Sequence, residues 1–402
     1  MNNNIMLKCS DCNCELEVGN YICPKKDGIL EAHYGYKKVN SIDSIKDNMP
    51  GIWKYSKLLP KVNKSITLGE GNTPLIESRK IGPELGINMF FKNEGQNPTG
   101  SFKDRAASVM LSIEKDLQHK AVITVSSGNA SGAIACYSAA VDIQCYIFMC
   151  KLTHEKLINT SSYGPKIFIL ETEVGDAFKL AEESSLKFGW KMLTTTAYHN
   201  PFTIEGYKTI SFEIFEQNGL PDVVVSPMGS GSLLLGIWKG FYELYTLGIT
   251  NSMPRIIGTQ AKGCNPIYQA YIQGKENITR VHSPFTIAGG IGTDNPGVTG
   301  KVALRKIRES NGAVVQISDD EILKILNILP NKEGIFGGPT GVVSIAGAVK
   351  ALEEKHIQKG EKVVCVISES GFKDLGSIER GIVKPSRVEP NLASIENSLN
   401  NE

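Results

Sequence analysis

Between residues 121 and 367 the chain repeats one pattern: a short apolar run, a loop of small residues, then a stretch of helical length. Residues 121–125, 145–149, 166–170, 222–226, 255–259 and 362–367 read as strands, and 130–141, 176–188 and 233–247 as helices. Strands this apolar, without polar alternation, are buried on both faces, which a parallel sheet covered by helices provides. At 402 residues the chain exceeds what one core sustains, so two or more α/β domains are expected. No fixed-period repeat is visible. After Arg380 the chain turns polar, with Pro385, Pro390 and several Asn and Ser, and 386–402 reads as a loose tail.

The chemistry concentrates where strands meet helices. In Asn97-Pro98-Thr99-Gly100-Ser101-Phe102-Lys103-Asp104-Arg105 a Pro/Gly turn leads to Ser101, a candidate helix cap, and Lys103 falls in the first turn. The positive end of a helix dipole disfavours an ammonium group and so favours the neutral amine. A neutral amine attacks aldehydes, which suits a Schiff base with pyridoxal phosphate (PLP). Standing alone, a Ser-x-Lys is more simply an exposed lysine beside Asp104 and Arg105.

Three further loops fit the same chemistry. Ser126-Ser127-Gly128-Asn129 follows a strand and opens a helix; its backbone N–H groups suit a carboxylate, although the run also makes a good turn and cap. Met228-Gly229-Ser230-Gly231-Ser232-Leu233 lacks the third glycine of a dinucleotide fingerprint, since residue 234 is Leu, but its bare amides can cradle a phosphate. A side chain at Gly231 is expected to intrude on that phosphate without harming the fold. Ser368 ends the strand 362–367, and its hydroxyl can serve either a ring nitrogen or a helix cap.

These loops, with Gly69-Glu70-Gly71-Asn72-Thr73-Pro74-Leu75 and Asn93-Glu94-Gly95-Gln96, resemble the threonine synthase family of fold-type II PLP enzymes, built like the β subunit of tryptophan synthase. The resemblance runs from about Cys9 to Asp374. It implies two three-layer, parallel-sheet domains with the cofactor in the cleft: a ribbon-like segment over 1–50, a large domain over 51–105 and 200–385, and a small domain over 106–199. It implies Lys103 as Schiff-base lysine and proton carrier, and Asn129 on the cofactor's ring hydroxyl. Gly229, Ser230, Gly231, Ser232 and Leu233 fall to its phosphate, and Ser368 to its pyridine nitrogen. Ser126, Ser127, Thr99 and Lys208 fall to the substrate. The implied reaction is O-phosphohomoserine plus water to threonine plus phosphate. Elimination or replacement on another amino acid, or a non-catalytic PLP-binding regulator, are the alternatives; an intact Lys103 argues against the last.

The chain also departs from that family. Thr203 stands where an arginine commonly grips the substrate phosphate, Gly337 and Gly338 replace bulkier and acidic residues, and Glu369 and Ser370 replace a glycine and a histidine. These departures point to the alternative of a different substrate with the cofactor chemistry retained, while the implied threonine-forming reaction stays first.

Cys9-Ser10-Asp11-Cys12 begins a metal-binding knuckle, and Cys23-Pro24 follows. In the family such a ribbon ends Cys-Pro-x-Cys, but here Lys26 occupies the fourth place, and a protonated amine is a poor ligand. Cys14 sits too close to Cys12 for the usual knuckle. Cys9, Cys12 and Cys23 thus lack a fourth partner, and no metal is expected.

With 43 Lys plus Arg against 42 Asp plus Glu the net charge is +1, which offers nucleic acid or an anionic membrane no electrostatic purchase. No apolar run is long enough to span a bilayer, and the start Met1-Asn2-Asn3-Asn4-Ile5 lacks the pattern of a secretory signal. Cytoplasm is the expected compartment, a small amino acid the expected partner, and a homodimer an allowed assembly. Cys136, Cys145, Cys150, Cys264 and Cys365 lie in apolar runs and read as core thiols.

Overall fold

The computed structural model describes residues 6–19, 21–150, 154–379 and 385–400. The start of the chain and the junction at 380–384, where the tail is expected to begin, lie outside the described residues.

The strands are β1 Met6–Cys9, β2 Glu15–Leu16, β3 Leu30–His33, β4 Leu75–Glu77, β5 Asn88–Asn93, β6 Ala121–Val125, β7 Gln144–Met149, β8 Lys166–Ile169, β9 Lys191–Met192, β10 Val223–Pro227, β11 Arg255–Ala261, β12 Ala313–Ile317 and β13 Lys362–Ile367. They form a six-stranded sheet in the order β12-β11-β10-β13-β5-β4, a four-stranded sheet β8-β7-β6-β9, and an N-terminal sheet β2-β1-β3. The four-stranded sheet is parallel throughout, and the six-stranded sheet is parallel except for its edge strand β4. Every strand expected from apolar runs is present. We propose the division into lobes expected from the resemblance, which the sheets support: one draws on 75–93 and 223–367, the other on 121–192.

Strand β5 escaped the apolar pattern because Lys92 interrupts it, yet it lies beside β13 in register from Asn88 with Lys362 to Asn93 with Ile367. The order of the large sheet locates the site. From β10 the chain proceeds outward to β11 and β12, whereas β13 and β5 lie on the other side. A crevice opens outside the carboxyl ends of the strands where the order reverses. There the loop after β10, the end of β13 and the segment after β5 converge, carrying Met228–Leu233, Ser368 and the run to Lys103.

The helix Lys103–Asp116 is buried on all sides from Asp104 to Glu114, as expected of a helix inside the core. It lies against the helix Phe202–Asn218 so closely that a Cβ on Gly206 would stand 2.4 Å from the carbonyl oxygen of Arg105.

Two expectations change. The tail is not uniformly loose: Leu392–Leu399 is a helix started by Asn391, whose side chain accepts from the Ser394 N–H, although none of its residues is buried. In the N-terminal sheet, Cys14 is not excluded by spacing. The β1–β2 turn reverses at Asn13, with φ +57°, and brings the sulfurs of Cys9, Cys12, Cys14 and Cys23 within 4.8 Å of one another. Lys26 points outward, exposed.

Candidate active site

Lys103 is the first residue of its helix, and Phe102, not Ser101, holds the capping position. Ser101 Oγ still accepts weakly from the Lys103 N–H at 3.4 Å. The lysine Nζ donates to Thr195 Oγ1 at 2.9 Å and lies 4.6 Å from the Phe102 ring centroid and 5.5 Å from that of Tyr207. Among the described residues no carboxylate is its partner. Burial alone brings its pKa from the ordinary lysine value down to about 7. The expected depression is therefore present, but its cause is desolvation by aromatic walls rather than the helix dipole. Part of the side chain remains accessible from the cleft.

The two residues after Lys103 fix the start of the helix. Arg105 is fully buried and donates to Glu94 through Nε at 2.7 Å and Nη2 at 2.8 Å, and to Glu213 through Nη1 at 2.8 Å and Nη2 at 2.7 Å. Asp104 accepts from the Thr99 N–H at 2.8 Å and hydroxyl at 2.7 Å. Burial still pushes the Asp104 carboxyl up to about 7. Thr99 therefore does not reach a substrate: its hydroxyl is spent on Asp104 and its carbonyl accepts from Lys373 Nζ at 2.9 Å.

Across the cleft, Ser126, Ser127, Gly128 and Asn129 are partly exposed and lead into the helix Asn129–Ala139, as expected. Ser126 Oγ accepts from the Gly128 N–H at 3.2 Å and Ser127 Oγ from the Cys150 N–H at 3.1 Å, so these hydroxyls shape the loop. The first N–H groups of the helix have no intrahelical acceptor and are available to an anion. Asn129 Nδ2 donates to Glu369, while its Oδ1 is buried without a hydrogen-bond partner among the described residues.

Glu369 is buried. Its Oε1 accepts from the Thr340 N–H at 3.0 Å, at the start of the helix Pro339–Glu353, whose capping residue Gly338 has no side chain. A Cβ on Gly338 would lie 2.9 Å from Glu369 Cγ and Oε1. Two of the departures from the family pattern, Gly338 and Glu369, thus form one packing unit, a carboxylate filling the space a glycine leaves.

The loop Met228–Leu233 passes from β10 into the helix Ser232–Thr246. Gly231 caps that helix at φ +100°, where a side chain is strained, and an added Cβ would meet Ala303 Cβ at 2.5 Å. The glycine is needed by the fold itself, so the expectation that Asp there would spare the fold is withdrawn. Ser232 Oγ accepts from the Ala197 N–H at 3.0 Å, while Ser230 and Gly229 are partly exposed. Ser368 Oγ, just past the end of β13, is buried and has no hydrogen-bond partner among the described residues.

These features fit PLP. Two orphaned polar atoms, Ser368 Oγ and Asn129 Oδ1, await acceptors or donors of a bound group, and helix starts offer N–H groups to a phosphate and a carboxylate. Residues 66–369 match the family model described as pyridoxal-phosphate dependent enzyme. The chain belongs to that family. Within it, the chain is 34% identical over 401 residues to a threonine synthase of Methanosarcina acetivorans, covering 98% of each chain. It is 34% identical over 397 residues to one of Methanocaldococcus jannaschii, covering 96% of this chain and 97% of the other. The structure of processed threonine deaminase isoform 2 from Solanum lycopersicum shares the fold, with a TM-score of 0.67, 24% identity and coverage of 77% and 86%. The chain is a fold-type II PLP-dependent lyase of the threonine synthase family, with PLP as cofactor.

One more expected substrate residue is committed to the protein interior. Lys208 is fully buried and donates to Glu205 at 2.6 Å and Glu243 at 2.9 Å, in a cluster completed by Lys239. It ties the helices Phe202–Asn218 and Ser232–Thr246 together and cannot hold a substrate. Thr203 is also fully buried, and its hydroxyl donates to the Thr194 carbonyl at 3.2 Å. Sequence reasoning missed Thr195 and Tyr207, which set the surroundings of Lys103. The one signal for Thr195 is its place in the hydroxyl run Thr194-Thr195-Thr196 just after β9. Among the described residues, no helix is long and apolar enough to cross a membrane.

Proposed function

We propose that the chain converts O-phosphohomoserine and water to threonine and phosphate. The observation that carries this reading is the combination at Lys103: an amine ionising near neutral pH, partly accessible, with a hydroxyl as its hydrogen-bond partner. Bound PLP supplies a conjugated ring that takes up the electron pair left when a proton leaves the substrate's Cα. Lys103 Nζ moves the protons. An amine with a pKa near 7 takes one from Cα and delivers one elsewhere on the chain at similar cost. Thr195 Oγ1 orients that amine, and the Phe102 and Tyr207 rings keep water from it. The start of the helix Asn129–Ala139 holds the substrate carboxylate, and Ser368 supports the ring nitrogen without the charge a carboxylate would bring. This moderated setting suits elimination and addition better than transamination.

One observation favours a second reading, in which the leaving group is not phosphate. Thr203 supplies no cation, and its hydroxyl is turned to the protein interior. A missing charge-assisted contact costs about 1.5–3 kcal/mol, or roughly 10- to 150-fold in affinity for a phosphorylated substrate. The assay is phosphate release and threonine formation from O-phosphohomoserine. Equal amounts of both products support the first reading. No turnover, with release of ammonia or another leaving group from a different amino acid, supports the second.

A further inference from the structure

We infer that Cys9, Cys12, Cys14 and Cys23 form a four-thiolate site for one structural zinc ion, with Cys14 as the ligand that completes it. This is the one group of three or more metal-ligating side chains gathered this closely among the described residues. Cys12 Sγ lies 3.5 Å and Cys14 Sγ 3.6 Å from Cys23 Sγ, and none of the four cysteines is in a disulfide. Tetrahedral zinc with bonds of about 2.3 Å to sulfur sets its ligands about 3.8 Å apart, so the thiols already stand near the required spacing. Four soft sulfur donors select zinc over calcium, magnesium or manganese.

The backbone explains how an unusual spacing succeeds. Cys9 ends β1 and its N–H donates to the Cys14 carbonyl at 2.9 Å, while the Asn13 N–H returns to the Cys9 carbonyl at 3.2 Å. The chain between them is a closed turn, and Cys12 and Cys14, on either side of Asn13, share its inner face. Cys23 comes from the next loop, closed by the Lys26 N–H on the Cys23 carbonyl at 2.9 Å. Cys9 and Cys23 are each 1% exposed, so the ion would be shielded on its protein side. Asp27 Oδ1 accepts from the Cys9 and Cys23 thiols at 3.6 and 3.5 Å. Those protons leave when the metal binds, and the half-exposed carboxylate can then turn to solvent.

The site would also steady the ribbon against the catalytic lobe. Asp11, between two ligands, accepts from Arg305 Nη1 at 3.0 Å and lies 3.6 Å from Lys301 Nζ. Both belong to the helix Gly297–Glu309, whose Ala303 packs against Gly231 of the phosphate loop.

The test uses the full chain purified after growth with added zinc, and separately the apoprotein titrated with cobalt. Elemental analysis should give one zinc per chain. Cobalt should show the visible bands of a tetrahedral site, with charge-transfer intensity corresponding to four thiolates. Cys14→Ser should lower that intensity to three thiolates and weaken zinc at least tenfold against a chromogenic chelator, whereas Lys26→Ala should change neither. If Cys14→Ser fails to fold, the intensity count on the wild-type chain decides alone. Absence of zinc with all thiols reduced, or a three-thiolate cobalt spectrum in the wild type, overturns the inference. PLP content is read independently from its own absorbance, so failure here leaves the catalytic reading untouched.

Discussion

Arg105 is the most consequential structural residue beside the site, and replacing it with Met tests how the cofactor lysine is held. The guanidinium is fully buried between Glu94 and Glu213, which are 0% and 1% exposed, and also donates to Thr209 at 2.9 Å and Thr73 at 3.2 Å. Met fills a similar volume but leaves both carboxylates without it. Glu213 retains Lys92 at 2.7 Å, whereas Glu94 keeps only neutral donors, the Thr73 hydroxyl at 2.7 Å and Asn97 Nδ2 at 2.8 Å. Breaking a buried pair in this way costs about 3–5 kcal/mol. The pH dependence gives the sign. In the wild type, Arg105 and Lys92 overcome burial and hold Glu213 below the usual carboxylate range, so its contribution is present above about pH 4.3 and is lost as pH falls. Burial is the largest influence on Glu213 and raises its carboxyl, so without the guanidinium the folded variant takes up a proton there more readily and its penalty shrinks as pH falls from about 8 toward 5. Urea unfolding of the PLP-saturated protein at both pH values measures this. A loss under about 1 kcal/mol, or one that does not shrink toward pH 5, would refute the reasoning.

Two further predictions concern the cofactor's surroundings. Ser230→Asp should weaken PLP binding at least about tenfold with unchanged circular dichroism, because it sets a carboxylate at the partly exposed loop without touching the packing of Gly231; unchanged affinity would move the phosphate elsewhere. Glu369→Gly should destabilise the protein by about 0.5–2 kcal/mol, as the Thr340 N–H loses its acceptor, and should shift the absorbance of bound PLP as Asn129 is released. A wild-type spectrum would separate Glu369 from the cofactor.

Much of the fold was legible because apolar strands buried on both faces need no tertiary information to recognise. β5 was not, since Lys92 looks polar in sequence and only the fold supplies Glu213 to neutralise it. The loop residues Asn129, Ser230 and Ser368 were legible through local chemistry, a turn or helix start beside a strand end. Thr99 and Lys208 misled for the same reason that β5 hid. Their polar groups are satisfied by residues brought together only on folding, Asp104 in one case and Glu205 and Glu243 in the other. Cys14 was discounted because linear spacing does not show a turn that reverses at a single residue with positive φ.

The central claim is that Lys103 carries the cofactor, and borohydride reduction of the PLP-loaded protein followed by peptide mass spectrometry tests it most directly. The account predicts a loss of the yellow absorbance and a single pyridoxyl group on the peptide containing Lys103, absent from Lys103→Ala. A pyridoxyl group on another lysine, or a wild-type chain that takes up no PLP, would contradict it.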